Sequence, residues 1–176
     1  FAALGPSAGW ESFYSYGGSP RPTGVIGRAR AHSDTLVYLE NIARRGIYVI
    51  HGDADESGPF REGLSMSMAA AMYSDDVVFH QEEGAGHWWD GDNSPGVDCV
   101  DWSPLFTFFN DRQLDPNELE FKFRTPNPGY SPTHSFIRIE SAINPLEDAV
   151  IETSVRGNIV TIATENVRSL VVDGTS

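Results

Sequence analysis

The sequence predicts an α/β protein in which an open parallel sheet is followed by a small all-β module. Residues 1–113 alternate short apolar runs with segments of helical composition, in the order strand, helix, strand, helix, strand, helix. This alternation is typical of parallel α/β sheets. From residue 114 onward only strand-like segments follow, with no helical pattern between them. We therefore expect two modules, residues 1–113 and an incomplete β module of residues 114–176.

The first module contains three short apolar runs that predict buried strands: residues 1–5, 47–50 and 77–79. Residues 6–27 are rich in Gly, Pro, Ser and aromatic residues, which indicates a surface loop. Three segments predict helices: residues 34–45, 60–72 and 103–110. Ser33 or Asp34 can cap the first of these helices, and Ser103 with Pro104 can begin the last.

The second module contains five segments that read as short strands: residues 119–124, 135–140, 149–156, 159–164 and 169–172. Gly157 and Asn158 separate two of these segments, and this residue pair favours a tight hairpin. A run of short strands joined by turns is typical of a β sandwich. We therefore expect an accessory or binding module here.

Charge and cysteine content exclude several classes of function. The 176 residues include 12 Lys and Arg against 25 Asp and Glu, a formal net charge of −13 at pH 7. A protein that binds nucleic acid needs a basic surface, so no nucleic-acid partner is expected. Cys99 is the single cysteine, which excludes an internal disulfide and a cysteine-based zinc site. No apolar run approaches the roughly 18 residues of a membrane span.

The chain begins at Phe1 without a methionine or a signal-peptide pattern, and it reads at once as a strand. We therefore expect it to be a piece of a longer protein. The cellular compartment stays open, with secretion and the periplasm among the options, and so does the oligomeric state.

Two loops follow predicted strands and carry residues suited to acid–base chemistry. Residues 50–56 contain Asp55, and residues 83–90 contain His87. Parallel sheets place ligands at the carboxyl ends of their strands, so both loops are expected at one edge of the sheet. A hydroxyl nucleophile needs a histidine to accept its proton, and that histidine needs a buried carboxylate to orient it. An acid of the first loop (Asp53, Asp55 or Glu56) and His87 of the second are therefore the predicted acid and base of a catalytic triad.

The motif His51-Gly52-x-x-Asp55, followed by a helix, a strand and Gly86-His87, resembles the end of a prolyl oligopeptidase-type catalytic domain. That family of serine peptidases belongs to the α/β-hydrolase superfamily, and the resemblance covers residues 1–112. It implies that the chain is the C-terminal part of an α/β-hydrolase sheet. It also implies that Asp55 is the triad carboxylate, that His87 is the base, and that the nucleophile lies upstream of Phe1.

The resemblance further implies peptide bonds as the substrate. The fold alone would equally allow a carboxylic-ester hydrolase, because a fold does not determine function. A non-catalytic, hydrolase-like binding module is the alternative from a different class, and a non-nucleophilic residue at the upstream nucleophile position would favour it. The expected partner is a peptide or a small ester, and no cofactor and no metal are expected.

Ser7 is an alternative nucleophile, because residues 5–9 read Gly-Pro-Ser-Ala-Gly and fit the G-x-S-x-G pattern. A nucleophile of that kind sits between a strand and a helix that follows directly. Residues 10–20 are too rich in aromatic residues, Gly and Pro for a good helix. We therefore expect a loop serine near the site, and the nucleophile elsewhere.

Other residues in the two loops leave alternatives open. Asp53 and Glu56 compete with Asp55 for the acid role, and the family pattern alone separates them. His51 is expected to be structural. The oxygen-bearing residues 90–93 have a spacing similar to that of a calcium loop but lack its remaining positions, so no metal is predicted there. Trp88 and Trp89 line a cleft or pack in the core.

Overall fold

The computed structural model describes residues 1–91 and 95–173. The chain divides into two compact units: Phe1–Pro20 with Ile42–Leu114, and Arg21–Asn41 with Asp115–Ser176. One boundary between the units lies where the sequence pattern changes from alternating elements to strands. The segment Arg21–Asn41, which the sequence analysis grouped with the first module, belongs to the second unit.

The helices and strands are numbered in chain order. They are β1 (Ala3–Leu4), α1 (Phe13–Tyr16), α2 (Gly24–Arg30), two 3₁₀ helices (Ala31–Ser33 and Thr35–Ile42), β2 (Gly46–Gly52), α3 (Phe60–Ala70), β3 (Val77–Glu82), α4 (Asp98–Asp101), α5 (Ser103–Asn110), β4 (Lys122–Thr125), β5 (Thr133–His134), β6 (Ile137–Ala142), β7 (Ala149–Arg156), β8 (Ile159–Glu165) and β9 (Val167–Val172). Within the described ranges, no helix has the length and apolar composition needed to cross a bilayer.

A three-stranded parallel sheet of order β1-β2-β3 forms the centre of the first unit. Every residue of β2 is buried, as its continuous apolar run predicts for a strand covered on both faces. Tyr48 and Ile50 pack on one face with a cluster that includes Leu105 of α5. Val49 packs on the other face with Ala70 of α3. The central strand therefore has helices on both of its faces.

Two of the predicted elements in the N-terminal region differ from those observed. The segment expected to be an α-helix from residue 34 is a 3₁₀ helix, Thr35–Ile42. Its β-branched and aromatic residues, such as Val37 and Tyr38, are weak α-helix formers. Asp34 does act as a cap, since its side chain accepts a hydrogen bond from the Leu36 backbone N–H at 3.3 Å. The expected loop over residues 6–27 contains the short helices α1 and part of α2.

Smaller differences appear at the other elements of the first unit. Strand β3 was predicted to be buried, but its residues are only partly covered, because it lies at the edge of the three-stranded sheet. Helix α5 has the expected bounds, with Trp102 as its N-cap and Ser103 already inside the helix. Helix α4 was not predicted, since its four residues are too few to show a helical period.

Two three-stranded antiparallel sheets, β4-β7-β8 and β5-β6-β9, make up the β part of the second unit, and their apolar faces share one core cluster. The unit is not all-β, because Arg21–Asn41 adds α2 and 3₁₀ helices to it. Strand β7 has the predicted bounds, and Arg156 pairs with Ile159 across a two-residue hairpin. Gly157 has a φ of +59° there, a conformation that favours glycine. The strand predicted over residues 135–140 is β6, which begins only at Ile137. Ser135, with a φ of +47°, lies in the turn that separates β6 from the short strand β5, which was not predicted.

The segment Arg21–Asn41 is bound to strand β4 of the second unit by hydrogen bonds and ion pairs. Asn41 exchanges two hydrogen bonds with the backbone of Arg124, at 2.9 and 2.8 Å. The Glu40 carboxylate lies 2.6 Å from the Lys122 ammonium and 2.9 Å from the Arg124 guanidinium. Burial raises the pKa of Glu40, but its hydrogen bonds to Lys122 and Arg124 outweigh burial and hold that pKa below its usual value. The carboxylate therefore stays charged between two cations.

Replacing Glu40 with Gln should loosen this attachment. The variant keeps the size of the side chain but removes the charge shared by Lys122 and Arg124, so we expect a loss of about 1 kcal/mol of local stability. Amide hydrogen exchange in β4 measures this loss. Glu140→Gln is the matched control, because Glu140 forms an exposed pair with Arg138 and should change exchange little. Equal effects of the two variants would contradict the expectation.

Candidate active site

Two loops meet at the carboxyl ends of the neighbouring parallel strands β2 and β3. The strands are in register to their last residues, with His51 opposite Gln81 and Gly52 opposite Glu82. The loop after β2 carries Asp55, and the loop after β3 carries His87. The edge at which both loops lie is where parallel α/β sheets place reactive groups.

The carboxylate of Asp55 is fully buried and is held by hydrogen bonds on both oxygens. Oδ1 accepts the backbone N–H groups of Ser57 at 2.7 Å and Gly58 at 2.8 Å. Oδ2 lies 2.9 Å from Nδ1 of His87. The contact expected between Asp55 and His87 is therefore present.

The surroundings of Asp55 favour its charged form. Burial raises the pKa of this carboxyl, but hydrogen bonds from Gly58, His87 and Ser57 outweigh burial and hold the pKa below its usual value. An ionised carboxylate can only accept hydrogen bonds. His87 therefore donates its Nδ1–H to Asp55 when Asp55 is charged.

The His87 ring is partly exposed, with 29% of its side chain open to solvent. Because Nδ1 carries the proton donated to Asp55, Nε2 of the neutral ring holds a free lone pair. Nε2 has no hydrogen-bond partner in the part of the chain that the structure describes. The arrangement can accept a proton at Nε2 and stabilise the resulting imidazolium through Asp55.

The backbone of the His87 loop packs directly on the end of β2. Ala54 donates its backbone N–H to the carbonyl of Ala85 at 2.9 Å. A Cβ atom at Gly52 would lie only 2.4 Å from the Ala85 carbonyl oxygen and 2.6 Å from that of Gly86. Only glycine at position 52 allows the two loops to approach this closely.

Asp53 is an alternative to Asp55 for the acid role. Its carboxylate binds no histidine side chain among the described residues; it binds Gln81 of β3 and the backbone of the loop that carries His87. Its Oδ1 accepts the Gly84 backbone N–H at 2.7 Å, and its Oδ2 accepts the Gln81 side-chain amide at 2.8 Å. Gly84 itself has a φ of +70°, so glycine suits this position in the loop. Glu56, the other competitor, is exposed.

Ser7 does not have the surroundings of a nucleophile. Its backbone lies beside Ile50 in a parallel β-bridge, and its hydroxyl donates a hydrogen bond to the carbonyl of Cys99. Ala8 turns the chain with a φ of +47°, but the next helix, α1, begins only at Phe13. The strand-to-helix turn that a G-x-S-x-G serine requires is therefore missing at Ser7.

The two tryptophans after His87 have different environments. Trp89 is buried in the core of the first unit, whereas Trp88 is 73% exposed and meets the His87 ring edge-on at 5.0 Å. The sequence allowed both possibilities for the pair, because adjacent aromatic residues carry no signal of which one faces the core.

A tether that the sequence did not predict joins the aromatic segment at α1 to the Asp55 turn. Tyr16 donates its phenol hydrogen to the carbonyl of Ser57 at 3.1 Å. The exposed rings of Trp10 and Tyr16 lie 4.4 Å apart. A composition rich in aromatic residues was the available signal, and it had indicated only a loop.

No cluster of three or more metal-ligating side chains occurs within residues 1–91 and 95–173. Of the four residues with a spacing similar to that of a calcium loop, Asp92 and Asn93 lie outside the described residues.

No model of a protein family matches the chain, and no curated protein matches it. Among solved structures, a PHB depolymerase variant in complex with an R3HB trimer is similar to this chain, with a TM-score of 0.37 and 14% sequence identity. The similarity covers 86% of this chain and 54% of the depolymerase chain, so this chain spans about half the length of that protein.

Replacing Gly52 with Ala should separate the two loops. The added Cβ meets backbone carbonyls that cannot move aside alone, so we expect a loss of about 1–3 kcal/mol in the free energy of unfolding. Denaturation followed by tryptophan fluorescence measures the loss, since all four tryptophans belong to the first unit. Gly86→Ala is the matched control, because a Cβ there meets nothing within 4 Å. The expectation fails if both variants are equally stable.

The pH dependence of stability should report the charge of Asp55. Because the folded pKa lies below the unfolded one, the contribution of Asp55 is fully present above about pH 4 and is lost as the pH falls through the folded pKa. At pH 7, Asp55→Asn should cost about 1–3 kcal/mol, since hydrogen bonds to a charged group are lost. Urea unfolding between pH 7 and pH 3 should show this cost shrinking below pH 4. A cost that stays constant with pH would contradict a charged Asp55.

Proposed function

We propose that this chain is part of a serine hydrolase in which Asp55 and His87 are the acid and base of the catalytic triad. The observation that carries the proposal is the 2.9 Å contact between Asp55 Oδ2 and His87 Nδ1. It joins a buried carboxylate to a partly exposed imidazole at the carboxyl edge of a parallel sheet. That is the pairing by which a triad orients its histidine.

In the proposed reaction, Nε2 of His87 takes the proton of a serine hydroxyl as the oxygen attacks the substrate carbonyl. The charge of Asp55 stabilises the imidazolium that forms, and His87 then returns the proton to the leaving group. This leaves a covalent acyl-enzyme. Water, activated by His87 in the same way, releases the acid product and restores the serine.

The nucleophile in this proposal is a serine upstream of Phe1. Ser7 is a poor candidate, because its hydroxyl hydrogen is directed at the Cys99 carbonyl and its backbone continues the pairing with β2. The peptide bond is the proposed substrate, on the resemblance of residues 1–112 to the prolyl oligopeptidase-type catalytic domain.

A fluorophosphonate probe, which labels activated serines, tests the source of the nucleophile. We expect no stoichiometric labelling of the 176-residue chain, and labelling of a longer form that includes the upstream sequence. Stoichiometric labelling of the 176-residue chain, abolished by Ser7→Ala, would place the nucleophile at Ser7 instead.

Two substitutions in the longer form test the roles of the acid and the base. His87→Ala should lower kcat about 10⁶-fold, and Asp55→Asn should lower it about 10⁴-fold, since the imidazole remains but loses its charged partner. Glu56→Gln is the matched control, because the exposed Glu56 side chain has no hydrogen bond or ion pair with Asp55 or His87 among the described residues. Rates on peptide amides and on carboxylic esters of the same acyl group are measured in parallel to separate peptidase from esterase. Full activity after His87→Ala would refute the proposed function.

A further inference from the structure

His51 is a buried histidine beside the candidate triad. It is 1% exposed at the end of β2, and its Nε2 lies 2.8 Å from the carbonyl oxygen of Gly58. Its other ring nitrogen, Nδ1, is buried and has no hydrogen-bond partner among the described residues. An orphaned polar atom in a core is uncommon and calls for an explanation.

These contacts show which nitrogen of the ring carries a hydrogen. A nitrogen 2.8 Å from a carbonyl oxygen must carry a hydrogen, so Nε2 of His51 is the donor. A proton on Nδ1 as well would be a buried donor without an acceptor, which costs about 1–3 kcal/mol. The Nε2–H group of His51 is therefore the donor to Gly58, and Nδ1 has no acceptor to bind among the described residues.

The Nε2–H group of His51 also faces the candidate triad acid. Nε2 lies 3.4 Å from Oδ2 of Asp55, the same oxygen that His87 contacts. Gly58 links the two residues a second time, because its carbonyl accepts from His51 while its N–H donates to Oδ1 of Asp55. His51 thus holds the turn that supplies the backbone donors of Asp55.

Helix α3 holds the His51 ring from the opposite side. A Cβ atom at Gly63 would lie 2.3 Å from Nδ1 of His51, and the Phe60 ring meets the imidazole edge-on at 5.8 Å. Glycine in a helix interior costs about 1 kcal/mol relative to alanine. Glycine is nevertheless required at position 63, because a methyl group there would occupy the space that the His51 imidazole fills.

We propose that His51 is a positioning residue for the acid–base pair, holding the turn of Asp55 from behind so that Oδ2 meets His87. The expected effect of His51 on kcat rests on the proposed function, whereas its expected effect on the Asp55–His87 contact does not. His51 touches neither substrate nor nucleophile in this role. It acts through Asp55.

The spectroscopic test uses the 176-residue chain and needs no activity. The His87 Nδ1–H proton, bound to a charged carboxylate, should give a resolved imidazole signal in ¹H–¹⁵N spectra. His51→Phe keeps a ring but removes the donor to Gly58, and it should abolish that signal while backbone spectra remain dispersed. His51→Gln can place an amide hydrogen near the position of Nε2–H and should restore the signal.

The kinetic test uses the longer, labelled form. Misplacing a reacting group by about 1 Å costs on the order of 10²-fold in rate, so His51→Phe should lower kcat 10- to 100-fold while KM changes less than about twofold. His51→Gln should recover most of kcat. A purely packing role would predict the reverse order, because phenylalanine fills the ring cavity better than glutamine.

Gly63→Ala provides a second route if His51→Phe does not fold. Its methyl group should push the imidazole and weaken the His87 signal, whereas Met68→Ala on the exposed side of α3 should not. In a His51→Ala background, Gly63→Ala should have no further effect on the signal. An unchanged His87 signal in His51→Phe or in Gly63→Ala would overturn the proposal. If the longer form is inactive but the signal responds as expected, the proposed function fails while the positioning role stands.

Discussion

The rest of the site depends on the buried charge of Asp55. A carboxylate out of water is stable only where hydrogen-bond donors surround it. Two of its donors come from the turn that follows β2, at Ser57 and Gly58, and the third comes from His87 on the next loop. Those three bonds outweigh the cost of burial, as the lowered pKa of the carboxyl requires. The N–H groups of Ser57 and Gly58 have to point at Oδ1, and Nδ1–H of His87 has to point at Oδ2. The buried charge therefore also determines the conformation of both loops.

The two loops can meet because their backbones approach each other unusually closely. Parallel pairing continues to the last residue of β2 and β3, and the glycine at position 52 lets the Ala85 carbonyl approach without a Cβ in the way. Asp53 then ties the His87 loop down through Gly84 and Gln81. Neighbouring acids on one loop thus have separate tasks: Asp55 contacts the imidazole, and Asp53 holds the loop that presents it.

Polar groups stabilise the two units in different ways. In the second unit, the segment Arg21–Asn41 is attached through charged groups such as Glu40 and Arg124, which remain partly exposed. In the first unit, His51 is buried; its Nε2–H donates to the Gly58 carbonyl, whereas Nδ1 has no partner among the described residues. Exposed groups can stay ionised at little cost, whereas a buried polar group depends on a directed hydrogen bond to offset its loss of water.

Local patterns in the sequence determined β2, α5 and β7, because burial on both faces, a Ser-Pro start and a Gly-Asn turn are each written in neighbouring residues. Residue types at two strand ends also pointed to an acid of the first loop and His87 of the second as partners. The sequence by itself could not assign Arg21–Asn41 to the second unit, and without the family resemblance it could not separate Asp53 from Asp55. It also could not show that His51 meets Asp55 or why residue 63 is glycine. Only the tertiary structure decided these points, because they depend on which atoms meet across long stretches of chain and on the direction of each hydrogen bond.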